Sequence, residues 1–293
     1  MSRKQSGEMS HLPLHLFLVV MVVITVYPLL WVITIAFSGG QTLAIADLPA
    51  EPAAADRLRA ITPWPEQLSL DNFRSLWADQ PFARWLWNSV LVSALTTLLG
   101  VFLASTAAYA FSRFRFPGRR AGLMSFLVSQ MFPGTLMLIP LYIIVVQWLG
   151  LGSSFTGLVL VYSTIAIPFC VWMMKGYFDT IPRELEESAL IDGASQAVIF
   201  FRIVLPLAKP AVAVTALFSF MTGWNEFIIA ATFMNREEMY TGPVGLRFFV
   251  GGYSQQWGYF AAGSLIAAIP VVLLFLFLQK YLVSGLTAGA VKG

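Results

Sequence analysis

Charged side chains are scarce in this sequence. Only 11% of its 293 residues are Asp, Glu, Lys or Arg, whereas 58% are hydrophobic. Soluble domains carry about 25% charged residues, so this balance excludes a soluble globular protein and predicts an integral membrane protein. The formal net charge of +3 is not gathered into a basic stripe, so we expect the lipid bilayer, and no nucleic acid, as a partner.

The residue patterns of common catalytic and metal sites are absent as well. The chain has one cysteine, Cys170, and a single thiol forms neither an internal disulfide nor a cysteine-based metal cluster. The sequence contains no H-E-x-x-H, no G-x-S-x-G and no G-x-x-x-x-G-K-[ST] pattern, which hold zinc, a serine nucleophile and nucleotide phosphates. We therefore predict no catalytic residue, no metal site and no directly bound cofactor, and the chain cannot itself be an ATPase.

Long uncharged runs are what the sequence does contain. About 20 apolar residues cross a bilayer, and the run 12–37 is too long for the apolar part of a signal peptide, which spans about 7–15 residues. Runs near 87–112, 207–234 and 259–282 each fit one span, and the run 120–175 fits two spans separated by the turn sequence GLGSS. We predict an all-α membrane protein with six transmembrane helices.

The distribution of lysine and arginine predicts the orientation of these helices. Positively charged short loops stay in the cytoplasm, and with both termini inside, twelve of the 18 lysines and arginines lie on inner segments. Both termini are therefore predicted to be cytoplasmic. The predicted segments are a cytoplasmic N-terminus (1–11), a first transmembrane helix (12–38), an outer loop (39–86), a five-helix core (87–284) with a cytoplasmic loop (175–206) and an outer loop (235–258), and a cytoplasmic C-terminal tail (285–293).

The predicted cytoplasmic loop contains an acidic, glycine-broken sequence, EESALIDGASQAVIFFRIVLP. Thr180 is predicted to cap a helix whose first turn contains Pro182, because both residue types are favoured at helix N-termini. Gly193 is predicted to end that helix, and Ser195 to cap a second helix that Pro206 closes. The loop is therefore predicted to form a helix-turn-helix.

The first of these two helices is unusually acidic, with Glu184, Glu186 and Glu187 near its start. Connectors that lie on lipid headgroups usually have basic polar faces, and glutamates are repelled by an anionic leaflet. The small side chains of Ser188 and Ala189 allow another surface to approach closely. Taken alone, the residues leave two interpretations open, a protein partner or a connector resting on lipid headgroups.

The spacing in this loop resembles the EAA motif of binding-protein-dependent ABC importer permeases. A Glu-Ser-Ala triplet is followed after three residues by Gly193, and after nine more by an Ile-x-Leu-Pro block. Ser188 stands where the family usually has its first alanine. The sequences AYAFSRFRFPG at 108–118, MFPGTLMLIPLY at 131–142 and YLVSGLTAGAVKG at 281–293 resemble the carbohydrate-transporting branch. The resemblance implies a six-helix MalG-type permease fold.

In that family the motif helix docks into a groove of a cytoplasmic ATPase. The ATPase-coupling residues that the resemblance implies are Glu186, Glu187, Ser188, Ala189, Asp192, Gly193, Ile203, Leu205 and Pro206. The tail residues implied to reach between ATPase subunits are Gly285, Leu286, Thr287, Gly289 and Gly293. The outer-loop residues implied to face a sugar-binding protein are Asn235, Tyr240, Gly245, Gly251, Gly252 and Tyr253. By composition alone, the tail also fits a frayed terminus, and the outer loop a connector on the membrane surface.

The function implied by the resemblance is that of a permease subunit of a carbohydrate importer in the bacterial inner membrane. The implied partners are a second, MalF-like membrane subunit, a MalK-like ATPase dimer that binds ATP and Mg, and an extracytoplasmic sugar-binding protein. The implied substrate is maltose, a maltodextrin or a related α-glucoside such as trehalose.

The alternative is a stand-alone, ion-coupled secondary transporter, since six spans can form half of an inverted-repeat carrier. Such carriers place ionisable groups at mid-membrane, and Glu226 is the one candidate in the predicted spans. Counted from Leu207, Glu226 lies about 28 Å along its helix at 1.5 Å per residue, close to the outer surface. We expect it to pair with Asn225 or Arg236 rather than to relay protons.

Overall fold

The computed structural model describes residues 12–43, 53–65, 67–252 and 255–290, and most of them are helical. No β-strand occurs in those ranges, so the prediction of an all-α protein is confirmed for them. The helices in chain order are α1 (Leu12–Ala36), α2 (Ala54–Ile61), α3 (Asp71–Ala78), α4 (Phe82–Arg113), α5 (Arg119–Met131), α6 (Leu138–Trp148), α7 (Phe155–Phe178), α8 (Glu184–Ile191), α9 (Gln196–Leu207), α10 (Lys209–Asn225), α11 (Ile228–Phe233), α12 (Gly242–Phe248) and α13 (Trp257–Ala290).

Four of these helices, α1, α4, α7 and α13, are long and apolar enough to cross a membrane. Helices α9 and α10 meet at an angle of 83° and count as a fifth candidate if they form one bent span. Where a third span was predicted, the chain forms the two shorter helices α5 and α6, interrupted around Pro133 and Gly134. Proline lacks the N–H that helix continuation needs. Six spans are therefore not confirmed within the described ranges.

Helix α4 begins at Phe82, inside the segment predicted as the outer loop 39–86. The helix was predicted to start after Arg84 because that residue is charged. An arginine near a helix end can, however, extend its charged head into water. The same segment also contains α2 and α3. The predicted loop is therefore partly helical.

The first compact unit comprises residues within Met1–Phe82 and Leu246–Ala268 and closes around the C-terminal end of α1. Asn72 Nδ2 donates to Ser38 O at 2.7 Å, and Asn72 Oδ1 accepts from Gln41 Nε2 at 2.7 Å. Gln41 Oε1 accepts the N–H of Tyr259 at 3.1 Å. These bonds provide partners for backbone groups after the end of α1 and at the start of α13, because such groups have no partner within their own helix.

The second compact unit comprises residues within Ala83–Gly245 and Ile269–Gly293. Helices α7 and α10 pack along each other at its centre, where the rings of Phe169 and Phe218 lie 4.2 Å apart between centroids. Phe178, at the end of α7, is fully buried. This packing fixes the ends of α7 and α10, between which the predicted helix-turn-helix is formed.

Candidate functional site

A tight turn joins α8 to α9. Gly193 has φ +83°, a left-handed conformation that glycine adopts without a steric penalty. The N–H groups of Gly193 and the next residue bond to the carbonyls of Leu190 and Ala189 at 3.0 and 2.9 Å, which is the hydrogen-bond pair of a Schellman motif. Ser195 Oγ accepts the N–H of Val198 at 3.4 Å and caps α9. The predicted helix ends at Gly193 and Ser195 are confirmed.

Two other predicted helix ends are wrong. The Thr180 hydroxyl donates to a carbonyl of α7 at 2.7 Å, so it closes that helix, and α8 begins later, at Glu184. Pro206 lies within α9, as the second residue of the α-helical segment Leu205–Leu207 that follows a π-helical turn. It occupies the first turn of the α-helical segment that follows, where its missing N–H needs no partner. The break falls instead at Ala208, where the chain bends by 83° into α10.

A buried ion pair joins α8 to α4. Arg113 Nε lies 2.5 Å from Glu186 Oε1, and the two side chains are 8% and 10% exposed. Tyr109 Oη donates to Glu186 Oε2 at 2.9 Å and lies 3.1 Å from Gln196 Oε1 of α9. Both helices of the loop are therefore tied to α4, and the buried charges are paired and hydrogen-bonded, as burial requires.

Further hydrogen bonds hold the same end of α4. Arg113 Nη2 donates to Ile181 O at 3.1 Å, and Arg183 Nη2 donates to Ser112 O at 3.2 Å. Ser112 Oγ donates to Asp179 Oδ1 at 2.6 Å. The connection between α7 and α8 is thus attached to α4 as well. We call the central residues of this arrangement the α4 clamp: Tyr109, Ser112, Arg113 and Glu186.

Asp179 lies beside the α4 clamp, just after the end of α7. Burial raises the pKa of its carboxyl, but hydrogen bonds from Lys175 and Ser112, together with the charges of Lys175 and Arg113, outweigh burial and lower the pKa below its ordinary value. The Lys175 Nζ atom lies 2.5 Å from Asp179 Oδ2. Asp179 is therefore an anion at neutral pH.

The side of α8 that faces away from the clamp is exposed. Glu187, Ser188 and Asp192 are all exposed, Ala189 is half-buried, and Ile191 is 88% exposed. Carboxylates beside an exposed isoleucine suit a surface that a protein partner covers. We call this surface the α8 face: Glu187, Ser188, Ile191 and Asp192.

The structure separates the predicted coupling residues into two groups. Glu186 is buried and points to α4, so it is not on the α8 face with Glu187. Ile203 and Leu205 pack against the buried core, whereas Pro206 is exposed. The predicted set therefore includes residues that face outward and residues that anchor the loop.

Sequence reasoning did not assign Tyr109 and Arg113 to the site. Their partner Glu186 is 77 and 73 residues away in the chain, and no helical or strand periodicity connects such distant positions. The available signal was the sequence AYAFSRFRFPG, which places a tyrosine and an arginine at the end of an apolar run.

Residues 96–287 match the family described as binding-protein-dependent transport system inner membrane component. This range is well over half of the chain and contains both the α4 clamp and the α8 face. The chain belongs to this family.

Individual relatives are similar over almost their whole length. The galactooligosaccharides transport system permease protein GanQ of Bacillus subtilis is 40% identical over 284 residues, covering 95% of this chain and 94% of the relative. The maltose/maltodextrin transport system permease protein MalG of Salmonella typhimurium is 35% identical, covering 100% and 99%. A crystal structure of a bacterial ABC transporter that imports alginate matches with a TM-score of 0.77 at 21% identity, covering 96% of this chain and 98% of that chain. This last match shows a shared fold.

Glu226, the acidic residue of the predicted fifth span, caps a helix. Glu226 lies between α10 and α11, and its carboxylate accepts two backbone N–H groups of α11 at 2.8 and 3.0 Å and the Tyr162 hydroxyl at 2.9 Å. The prediction that Glu226 pairs with Asn225 or Arg236 is wrong. The break in the span frees N–H groups at the start of α11, and these need an acceptor.

Part of the outer loop 235–258, which was predicted to face a binding protein, packs against α4. Trp85 Nε1 donates to Glu237 O at 3.1 Å, and Asn88 Nδ2 donates to Tyr240 O at 2.8 Å. Gly245 is buried, and a Cβ atom added to it would lie 2.0 Å from Trp85 Cε3. Gly245 is therefore a close-packing position and not an exposed contact, contrary to its predicted place.

The other predicted outer-loop residues are open to solvent or lie outside the described residues. Asn235, Gly251 and Gly252 are exposed. Tyr253 lies outside the described residues.

The predicted C-terminal tail of this transport component starts within a helix. Helix α13 continues to Ala290, so it includes four of the predicted tail residues, Gly285, Leu286, Thr287 and Gly289. Gly293 and the predicted N-terminal segment 1–11 lie outside the described residues.

Proposed function

We propose that this chain is one of two membrane subunits of an ABC importer that carries an oligosaccharide across the bacterial inner membrane. The observation that carries the proposal is the α8 face, an exposed surface with EAA spacing on a helix whose opposite side is locked to α4. A helix that passes on the movement of an ATPase needs exposed contact residues and a rigid attachment behind them.

The proposed topology has six spans and cytoplasmic termini, with α5 and α6 together as the third span. The first helix, 12–38, is followed by the outer loop 39–86, and the core 87–284 holds the cytoplasmic loop 175–206 and the outer loop 235–258. The lysine and arginine distribution supports this orientation. The segments 1–11 and 285–293 then lie on the cytoplasmic side.

The proposed ATPase contact is made by the α8 face together with Ala189 and Gly193. Glu187 provides a carboxylate for a charge-assisted hydrogen bond to the ATPase. The ATPase is a MalK-like dimer that binds ATP and Mg, and this chain supplies no catalytic residue and no cofactor ligand. The C-terminal residues from Gly285 reach between the ATPase subunits.

The proposed outer partners are a MalF-like second permease and a sugar-binding protein. Asn235, Gly251 and Gly252 are exposed and are available to the binding protein. Gly245 does not take part in this contact, because it is packed against Trp85.

The proposed substrate is maltose, a maltodextrin or another α-glucoside such as trehalose. The names of GanQ and MalG support an oligosaccharide, and they differ in the sugar. The test is ATP hydrolysis by the reconstituted importer with its binding protein and a panel of maltose, maltotriose, trehalose and a galactooligosaccharide. Stimulation by a galactooligosaccharide alone would contradict the α-glucoside assignment, and no stimulation by any sugar would contradict a carbohydrate importer of this kind.

The ATPase contact is tested by Glu187→Lys, which reverses a charge on the α8 face. Losing a charged contact at an interface and leaving its partner unpaired costs about 2 kcal/mol or more, so we expect ATPase association to weaken by about 30-fold or more. The measurement is co-purification of the ATPase with the solubilised membrane complex. The matched control is Asp71→Lys, which makes the same charge change at a side chain that is 71% exposed.

Equal ATPase association in Glu187→Lys and Asp71→Lys would contradict the docking assignment. Sugar uptake by the chain alone, driven by an ion gradient, would favour the secondary-transporter alternative. The capping contacts of Glu226 account for its position without a proton relay.

A further inference from the structure

A displacement of α8 has two routes to the longer helices of the second unit, in which α8 itself lies. One route follows the chain through α9 and Ala208 into α10, where the two helices meet at 83°. Pro210 lies in the first turn of α10 and lacks the N–H that would continue the helical hydrogen bonds across the bend. Residues at the ends of helices are where changes in φ and ψ are absorbed during movement. Val204, Ala208 and Ala211 around the bend are buried in the core, so this route is held by non-directional apolar packing.

The other route passes through side chains into the end of α4. Glu186 of α8 bonds to Arg113 and Tyr109, and Gln196 of α9 lies within hydrogen-bond distance of the same tyrosine. Ile181, in the connection before α8, bonds to Arg113 through its carbonyl. All of these contacts reach α4 within residues 109–113, so they fix the position and the orientation of α8 on that end.

Burial of the ion pair makes the contacts of this second route difficult to break. The Arg113 and Glu186 side chains are 8% and 10% exposed. Separating them would leave two uncompensated charges in a poorly solvated place, which is strongly unfavourable. The relative positions of α8 and the end of α4 therefore resist change when α8 is pushed.

We propose that the α4 clamp is a permanent joint, which makes α8 and the C-terminal part of α4 move as one body during transport. In this arrangement the displacement imposed on α8 reaches α4 directly, through the buried ion pair. Glu186 and Arg113 are then positioning residues that touch neither ATP nor sugar. The inference rests on the proposed function, because the ATPase supplies the displacement.

The experiment replaces the ion pair with a removable covalent link. Arg113→Cys and Glu186→Cys are combined in a Cys170→Ser background, and the two thiols are joined by a short bifunctional methanethiosulfonate reagent. The complete importer, with second permease, ATPase and binding protein, is reconstituted in liposomes. The measured quantity is the number of sugar molecules transported per ATP hydrolysed, for each assembled complex.

Without the link, we expect this ratio to fall at least about fivefold, the lower end of the range for energetic coupling between sites. With the link, the ratio should return to within about twofold of the Cys170→Ser protein, because a permanent joint tolerates a covalent bond. A ratio that stays low or falls further on linking, and recovers on reduction, would show that the contact opens during the cycle and would overturn the proposal. The proposal is also overturned if the double-cysteine variant, without the link, has the same ratio as the Cys170→Ser protein.

A matched control and a milder variant complete the test. Asp71→Cys with Arg74→Cys replaces an exposed pair 4.0 Å apart, and its linking should leave the ratio unchanged. Glu186→Gln keeps an acceptor for Tyr109 but removes the charge, so it should lower the ratio without reducing ATPase association. If Glu186→Gln leaves the ratio unchanged, the permanent-joint proposal is contradicted but the proposed function is not. If the wild-type chain binds no ATPase, the proposed function itself is contradicted.

Discussion

The close approach of Gly245 to Trp85 gives a quantitative prediction for Gly245→Ala. The added Cβ would lie 2.0, 2.3 and 2.7 Å from three ring atoms of Trp85. Trp85 is only 2% exposed and donates to Glu237 O, so the ring has to move and its hydrogen bond is strained or lost. Overpacking of a core costs about 1–3 kcal/mol, and a lost hydrogen bond about 1 kcal/mol. We expect a loss of stability of about 2–4 kcal/mol.

The assay for Gly245→Ala is thermal unfolding of the purified protein in detergent. At about 2.1 cal/mol/K per residue, a chain of 293 residues has an unfolding entropy of about 0.6 kcal/mol/K, so the midpoint should fall by about 3–7 °C. The matched control is Gly252→Ala, because a Cβ atom there has no heavy atom within 4 Å. In the Gly245→Ala background, Trp85→Leu makes room for the methyl group, so the two effects should be less than additive. Equal midpoints for Gly245→Ala and Gly252→Ala would refute the packing argument.

Two further predictions concern the helix-turn-helix and its neighbour. Gly193→Ala should destabilise the protein by about 1–2 kcal/mol, because a Cβ atom is disfavoured at φ +83°, and Gly193→Asn should recover part of this loss in thermal unfolding, since asparagine tolerates this conformation. The pKa of Asp179 is lower in the folded protein than its ordinary value of about 3.9; its contribution to stability is therefore complete above the ordinary value and is lost as pH falls through the folded pKa. The stability difference between wild type and Asp179→Asn should stay constant above about pH 5 and shrink as the pH falls below about 4, and a difference that does not change with pH would contradict the pairing of Asp179 with Lys175 and Ser112.

Local features of the helix-turn-helix were predictable because their chemistry is local. Gly193 ends α8 through its own backbone conformation, and Ser195 caps a helix that starts at the next residue. Thr180 was misassigned because its hydroxyl can serve either neighbouring helix, and the sequence does not tell which one it bonds to. The end assigned to Pro206 was wrong for a similar reason, since a proline fits the first turn of a helical segment as well as a helix end.

Features that depend on distant residues were not predictable from the pattern. Glu186 and Glu187 are adjacent acids of similar appearance in the sequence, and only the position of Arg113 makes one buried and leaves the other exposed. Hydropathy also does not locate breaks inside an apolar run. The interruption around Pro133 and the one at Glu226 divide predicted spans into shorter helices, because proline and a capping carboxylate act on individual hydrogen bonds rather than on mean hydropathy.

The separation of Arg113 and Glu186 along the chain has a consequence for biosynthesis. Arg113 leaves the ribosome 73 residues before its partner, which at 5–20 residues per second is roughly 4–15 s. During that interval Arg113 has no Glu186 to pair with, and in the proposed orientation such a charge favours the cytoplasmic side for the end of α4. Only when the later loop folds back does Glu186 neutralise it. In that orientation one side chain serves first as a topological signal and afterwards as part of the buried interior.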